Sequence, residues 1–247
     1  MDDLIEKPRV ALVTGGSGGI GAAVIERLVI DGIAVAVHYS GNKARADAVV
    51  ECVAQAGGQA IAVGGDVADE AAMATAFDDV ETRFGGLDVV VNTAGVMVLG
   101  AIADYDLADF DKVMRTNVRG TFVVSQLAAR RVRRGGAIIN FSTSVTRTQF
   151  PQYGPYVASK AAVESMTLIL ARELRGRDIT VNTVAPGPTA TPLFLDGKSE
   201  EVIAGLAAAT PLERLGAPAD IAEAVAFLAG PARWVNGQTI FANGGLA

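Results

Sequence analysis

Residues 10–21 read VALVTGGSGGIG: a β-branched apolar run, a glycine-rich turn from Thr14 to Gly21, and the start of a helical pattern. Gly16, Gly18 and Gly21 fit G-x-G-x-x-G, whose glycines let a pyrophosphate approach backbone amides at a helix N-terminus. Gly15, Gly19 and Gly21 fit the related spacing T-G-x-x-x-G-x-G, and Gly15, Ser17 and Gly19 also fit the G-x-S-x-G elbow of serine hydrolases. A hydrolase needs a histidine base late in the chain, and the single histidine, His38, lies near the second strand. A phosphate-binding Walker loop needs lysine where Ala22 stands. The dinucleotide turn is the reading that survives.

Outward from this turn, apolar strand-like runs alternate with helical-period stretches. The expected strands are Arg9 to Thr14, Ile33 to Tyr39, Gln59 to Gly64, Asp88 to Asn92, Gly136 to Ser142, Ile179 to Ala185 and Gly237 to Ala242. Helical spacing marks Ile20 to Asp31, Lys43 to Ala56, Glu70 to Phe84 and Leu107 to Arg134. This order predicts an α/β fold, a doubly wound, Rossmann-like parallel sheet of about seven strands with helices on both faces. Runs such as VALVT and DVVVN are apolar throughout, as strands covered on both sides must be. No linker, charge block or repeat divides the chain, so residues 1–247 are expected to form one domain. From Pro186 to Gly216 the rhythm breaks into proline, glycine and one short helical pattern, and residues 188–215 are expected to form a lid over a site.

Of the 247 residues 50% are hydrophobic and 19% charged, which suits a chain with a large core and excludes disorder as its main state. The net charge of −6 argues against nucleic acid or anionic lipid as partner. Arg130, Arg131, Arg133 and Arg134 read as the close of a helix, where cations suit the dipole, rather than as an anion site. One cysteine, Cys52, and one histidine form no transition-metal cluster. The opening MDDLIEKPRV lacks the pattern of a leader, and no run of about 18 apolar residues spans a membrane. The expected location is the cytoplasm.

The second strand ends in His38-Tyr39-Ser40-Gly41-Asn42-Lys43, without the carboxylate that commonly accepts from an adenosine ribose. Ser40, Asn42 and Lys43 have donors for a 2′-phosphate, so NADP(H) is favoured, with NAD(H) left open. His38 reads as an ordinary strand-end residue. Further on, Tyr156 and Lys160 are four apart in YVASK and share a helix face, after a strand that ends in Ser142-Thr143-Ser144. An ammonium beside a phenol favours the phenolate, so Lys160 is expected to tune Tyr156 for proton exchange with a carbonyl or alcohol oxygen. A neighbouring hydroxyl would hold that oxygen.

Taken together, TGGSGGIG, YVASK, Asp66-Val67, Asn92-Thr93-Ala94-Gly95, Asn117 in NVRGTF, Pro186-Gly187 and the ending NGQTIFANGGL resemble the short-chain dehydrogenase/reductase family over nearly the whole chain. The resemblance is to its compact branch, among 3-oxoacyl-thioester reductases and related ketone reductases. It implies that Gly15, Ser17, Gly19, Ile20 and Gly21 hold the pyrophosphate. It assigns Asp66 and Val67 to adenine, and Asn92, Ala94 and Gly95 to the ribose. Pro186, Gly187, Thr189 and Thr191 fall to the nicotinamide end, and Lys160 also to its ribose. Tyr156, Lys160, a hydroxyl and Asn117 make up the proton machinery. Two departures stand out. Thr93 replaces the family's second asparagine, and the position 13 before Tyr156 is Thr143 where serine is usual, so the role is divided between Thr143 and Ser144, with Ser142 third. A homotetramer is also implied, built by the helices containing Asn117 and Tyr156 and by the C-terminal segment.

The leading expectation is an oxidoreductase moving hydride between NADP(H) and a ketone or secondary alcohol. Its alternatives are a non-catalytic dinucleotide-binding regulator or scaffold, against which the intact Tyr156 and Lys160 speak, and a sugar-nucleotide epimerase or dehydratase, for whose longer substrate domain there is no room. Leu193, Phe194, Leu195 and Leu206 of the lid, with Val96, Met97, Phe150 and Tyr153, predict an apolar pocket without an obvious basic residue.

Overall fold

Seven strands, all parallel, build the sheet of this computed structural model, which describes residues 8–247. They are β1 (Val10–Thr14), β2 (Ala34–Tyr39), β3 (Ala60–Gly64), β4 (Leu87–Asn92), β5 (Val132–Phe141), β6 (Thr180–Pro186) and β7 (Thr239–Ala242), in the spatial order β3-β2-β1-β4-β5-β6-β7. The opening residues 1–7, read above for a leader, lie outside the described part. The helices are α1 (Gly19–Ile30), α2 (Lys43–Gln55), α3 (Glu70–Phe84), α4 (Leu107–Met114), α5 (Thr121–Arg131), α6 (Val145–Thr148), α7 (Gly154–Glu173), α8 (Pro192–Leu195), α9 (Glu200–Ala208) and α10 (Pro218–Ala229). The chain winds outward in both directions from β1 and β4, and at that reversal the loops leaving the strands splay apart to open a crevice.

Alternation along each strand feeds two apolar layers. On β1, Val10 and Leu12 pack with Met73 and Phe77 of α3 and Val124 and Leu127 of α5, whereas Ala11 and Val13 pack with Ile25 of α1 and Val225 of α10. Both faces are covered, which is why the run is apolar at every position.

One row of the sheet is polar. Thr14, Asn92, Asn140 and Thr183 are register partners across β1, β4, β5 and β6, and all four are buried. Thr14 Oγ1 donates to Asn92 Oδ1 (3.3 Å), Asn92 Nδ2 to Asn140 Oδ1 (2.8 Å) and Asn140 Nδ2 to Thr167 Oγ1 of α7 (2.9 Å). Thr183 Oγ1 donates to the same Thr167 oxygen at 2.8 Å. Buried polar groups persist only when so paired, and this seam joins the strand leading into the glycine turn to the helix that carries Tyr156.

Three expectations are corrected. The arginine run does not lie wholly in a helix: α5 ends at Arg131, while Arg133 and Arg134 belong to β5, which begins four residues before the expected Gly136. The reason is Asp88 of β4, nearly buried, which accepts from Val10 N and from the guanidinium of Arg133, drawing that residue into the sheet. The helical stretch from Leu107 is also not uniform, since Arg115–Gly120 form one wide π-helical turn between α4 and α5. Likewise the Pro186 to Gly216 segment holds two short helices, α8 and α9, where one pattern was expected, because Thr191 and Ser199 each cap a separate start.

The seam makes a stability prediction. Asn140→Ala removes a donor and an acceptor from one buried chain, and should lower stability by about 2–4 kcal/mol in urea unfolding; an unchanged midpoint would mean that the row contributes nothing.

Candidate active site

The turn after β1 is shaped by close approach. Gly15 has a positive φ of 64°, and a Cβ on Gly21 would stand 2.4 Å from the Gly15 carbonyl oxygen. Thr93, which replaces the family's asparagine, locks this turn by donating from Oγ1 to Thr14 O. His38 is buried, and its Nδ1 accepts from Gly15 N at 3.4 Å, so it supports the turn from β2. Burial lowers its pKa to about 4 and keeps it neutral. At the mouth, no side chain caps the first amides of α1, and nothing stands within 4 Å of the position a Gly18 Cβ would take. The result is a bare, donor-lined cradle that fits a pyrophosphate.

Beside the turn, at the carboxyl ends of β5 and β6, a cavity brings together Thr143, Tyr156, Lys160, Gly95, Thr189 and Thr191. The three hydroxyls of the Ser142-Thr143-Ser144 run separate by their partners. Ser142 Oγ donates to Glu164 Oε1 of α7 (2.5 Å), and Ser144 Oγ donates to Ala185 O of β6 (3.3 Å). Thr143 is left facing Tyr156, where its hydrogen bond favours the ionised phenol. Burial is the larger influence and pushes Tyr156 up to about 12, opposite to the acidified tyrosine expected from sequence. Lys160 does not offset this: its Nζ donates to Phe141 O at 2.9 Å and lies 5.8 Å from the Tyr156 ring centroid. Desolvation brings Lys160 down to about 8.

Asn117 sits in the wide turn ahead of α5, fully buried. Its Nδ2 donates to Val96 O and Ser159 Oγ, and its Oδ1 accepts from Val96 N, so the side chain fastens the loop after β4 to the start of α7.

Other expected residues fall elsewhere. Asn92 turns into the polar seam and not toward the cavity. Ala94 N donates to Thr14 Oγ1 at 3.2 Å. Asp66 is paired with Arg115, which holds its carboxyl below the ordinary range together with the Ala68 amide, against the opposing effect of burial. Val67 is buried against Gly120. At the end of β2, Ser40 is exposed, Asn42 caps α2 through Arg45 N, and Lys43 forms an i,i+4 pair with Asp47 at 2.7 Å. Thr191 Oγ1 accepts from Phe194 N and so caps α8. The apolar walls include Met97, Phe150, Tyr153, Leu193, Phe194 and Leu206, as expected, and add Val145 and Leu246, whereas Val96 and Leu195 do not line them. Glu164 and Arg115 went unread in the sequence. For Glu164 a signal was present, since it follows Lys160 by four residues and so continues the helix face of the pair.

Among the described residues no group of His, Cys, Asp or Glu side chains is placed to hold a metal ion, and no helix is long and apolar enough to cross a membrane.

Comparisons with known proteins agree with this geometry. A family model described as enoyl-(acyl carrier protein) reductase matches residues 15–247. A short-chain type dehydrogenase/reductase of Picea abies is 44% identical, over 96% of this chain and 92% of that protein. An NADPH-dependent aldehyde reductase-like chloroplastic protein of Arabidopsis thaliana is 41% identical, over 96% of this chain and 93% of its own length. The crystal structure of a short chain dehydrogenase from Burkholderia cenocepacia in complex with NADP superposes with a TM-score of 0.90 at 40% identity, covering 98% of both chains. With identity at this level along its whole length, and with the glycine turn, Tyr156 and Lys160 on one crevice, the chain belongs to the short-chain dehydrogenase/reductase family of oxidoreductases.

Proposed function

We propose that the protein is an NADP(H)-dependent oxidoreductase that interconverts a ketone and a secondary alcohol. The observation that carries this reading is the convergence of Thr143, Tyr156 and Lys160 on one wall of a cavity whose other walls are mainly apolar. The glycine cradle, Gly187, Thr189 and Thr191 would hold the dinucleotide, and its nicotinamide supplies or takes up the hydride. Preference for the 2′-phosphate is supported by the absence of a carboxylate in Ser40 to Lys43 and by Lys43 and Arg45 in the first turn of α2, as well as by the relatives that use NADPH or bind NADP.

The chain's own groups then handle the oxygen. Thr143 donates to the carbonyl oxygen and orients it, and Tyr156, protonated at neutral pH, gives its proton to that oxygen as charge develops there. The Lys160 cation, bonded to Phe141 O on the same wall, would stabilise the phenolate by turning toward it as charge forms, and Asn117 keeps the Val96 loop and the start of α7 in place around it. In the oxidative direction the same proton returns to Tyr156.

Residues 188–215 act as the lid. They are joined to the sheet at a narrow neck, where Ala190 N donates to Gly216 O and Gly216 N to Pro188 O, both at 2.8 Å, and they present Leu193, Phe194 and Leu206 to the cavity. The pocket suits a substrate that is largely apolar around its carbonyl, since the walls are mainly Met97, Phe150, Leu193, Phe194 and Leu206. A cytoplasmic location is part of this reading, supported by a single exposed cysteine with no second thiol to pair with. So is a homotetramer. Supporting it is an apolar groove between α5 and α7, where Phe122 and Ile169 are 53% and 55% exposed.

Three outcomes test the proposal. Tyr156→Phe should reduce kcat on an aryl ketone or β-keto ester by about 10²- to 10⁴-fold while NADPH affinity, read by fluorescence, stays within twofold; a fully active variant refutes the mechanism. Ketone reduction should hold level below neutrality and fall as pH rises through about 8, because the Lys160 cation is lost there while Tyr156 is still protonated; a flat alkaline limb contradicts the assignment. Light scattering should return four times the mass of one chain, and a monomer at micromolar concentration excludes the assembly.

A further inference from the structure

Two hydroxyls that bracket Thr143 in sequence end on a single oxygen atom. Ser142 Oγ donates to Glu164 Oε1 at 2.5 Å, and Thr146 Oγ1 donates to the same Oε1 at 3.1 Å. The single Thr146 hydroxyl proton is shared with Thr143 O, to which it donates at the shorter 2.9 Å, so Ser142 makes the firmer of the two bonds to the carboxylate. Ser142 lies past the end of β5, Thr146 in the short helix α6, and Glu164 on α7, one turn beyond Lys160 and two beyond Tyr156. The carboxylate therefore bridges the loop that presents Thr143 and the helix that presents the tyrosine and lysine.

Besides that bridge, Lys160 Nζ ties α7 to Phe141 O, just ahead of the loop, at 2.9 Å. Residues 142 and 144 are held to β6 by their backbone, Ser142 N donating to Val184 O (2.8 Å) and Ser144 N to Pro186 O (2.9 Å), whereas α6 beyond them is a single turn of four residues. Just beyond it, Gln149 and Gln152 adopt positive φ values of 52° and 73°, a conformation that non-glycine residues adopt only under local constraint. Apart from the contact of Thr143 with Tyr156 itself, the side-chain hydrogen bonds between residues 142–146 and α7 among the described residues run to Glu164 Oε1.

We infer that Glu164 is a positioning residue that clamps residues 142–146 to α7 and so fixes the Thr143 hydroxyl against Tyr156. Glu164 does not line the cavity and takes no part in proton transfer; it acts through Ser142 and Thr146. An oxyanion-holding hydroxyl is effective only when its place is set before charge develops. The inference rests on the proposed reduction for its kinetic consequence, and on geometry alone for the clamp.

The test compares Glu164→Val, which removes the acceptor, with Glu164→Gln, whose amide oxygen can take both hydrogen bonds at the same point. In the full-length protein, hydrogen exchange of peptides covering residues 142–148 should quicken at least ~10-fold in Glu164→Val and stay near wild type in Glu164→Gln. With an aryl ketone and NADPH, kcat should fall ~10-fold or more in Glu164→Val, with NADPH affinity within twofold, and Glu164→Gln should keep more than about half of wild-type kcat. Wild-type exchange in Glu164→Val overturns the clamp, whatever the activity. Quickened exchange with unchanged kcat overturns the catalytic consequence, and a Gln variant as impaired as Val shows that charge and not acceptor geometry matters, which also overturns it. Should Glu164→Val fail to fold, Ser142→Ala/Thr146→Val removes both donors and must give the same exchange and kcat changes. A wild-type enzyme without turnover on ketones counts against the proposed function instead, and the exchange comparison still decides the clamp.

Discussion

The buried hydrogen-bond row from Thr14 through Asn92 and Asn140 to Thr167 and Thr183 is the constraint on which the site depends. In an apolar sheet a buried polar side chain without a partner costs about 1–3 kcal/mol, and here Thr14, Asn92 and Asn140 pair across neighbouring strands at one register while Asn140 and Thr183 both meet Thr167 of α7. A one-residue slip of any strand would turn its polar group to the opposite face and strand its neighbours. The row thereby fixes the relative heights of β1, β4, β5 and β6, and Thr167 carries that setting to α7. The glycine turn lies directly beyond one end and the Tyr156 helix beyond the other. Two parts of one site, more than a hundred residues apart in sequence, are held at a common level by side chains buried within the sheet.

The two ionisable groups at the centre respond to burial in opposite senses. Tyr156 becomes a weaker acid and Lys160 a weaker base, because each loses water that would stabilise its charged form. The pair therefore rests as a neutral phenol beside an ammonium that is only moderately willing to stay charged. That state is suited to giving a proton to an oxygen on which negative charge is forming.

Much of this was legible in the residues. Strand positions followed from apolar runs that needed no alternation, and their parallel order from the helical stretches between them. The glycine turn and the Tyr156-Lys160 spacing located the crevice. What could not be read was the choice among partners. Arg133 looks like a helix-closing cation until Asp88 is seen beside it, and Lys43 is offered to a phosphate in sequence but paired with Asp47 in space. The three adjacent hydroxyls are chemically alike, and only their neighbours Glu164, Ala185 and Tyr156 tell them apart. Tyr156 runs opposite to its sequence expectation because the effect of a neighbouring charge can be reasoned from spacing, whereas desolvation depends on how much of the ring the fold covers.

The neck at Thr189 and Gly216 has a consequence for how such proteins diversify. Because the polypeptide enters and leaves the substrate-facing segment at two paired residues, everything between them forms a nearly self-contained cassette. Changes confined to residues 192–209 would reshape the Leu193, Phe194 and Leu206 wall of the cavity while leaving the strands and Thr191 in place. The apolar cover can thus vary apart from the bed that carries Tyr156 and Lys160.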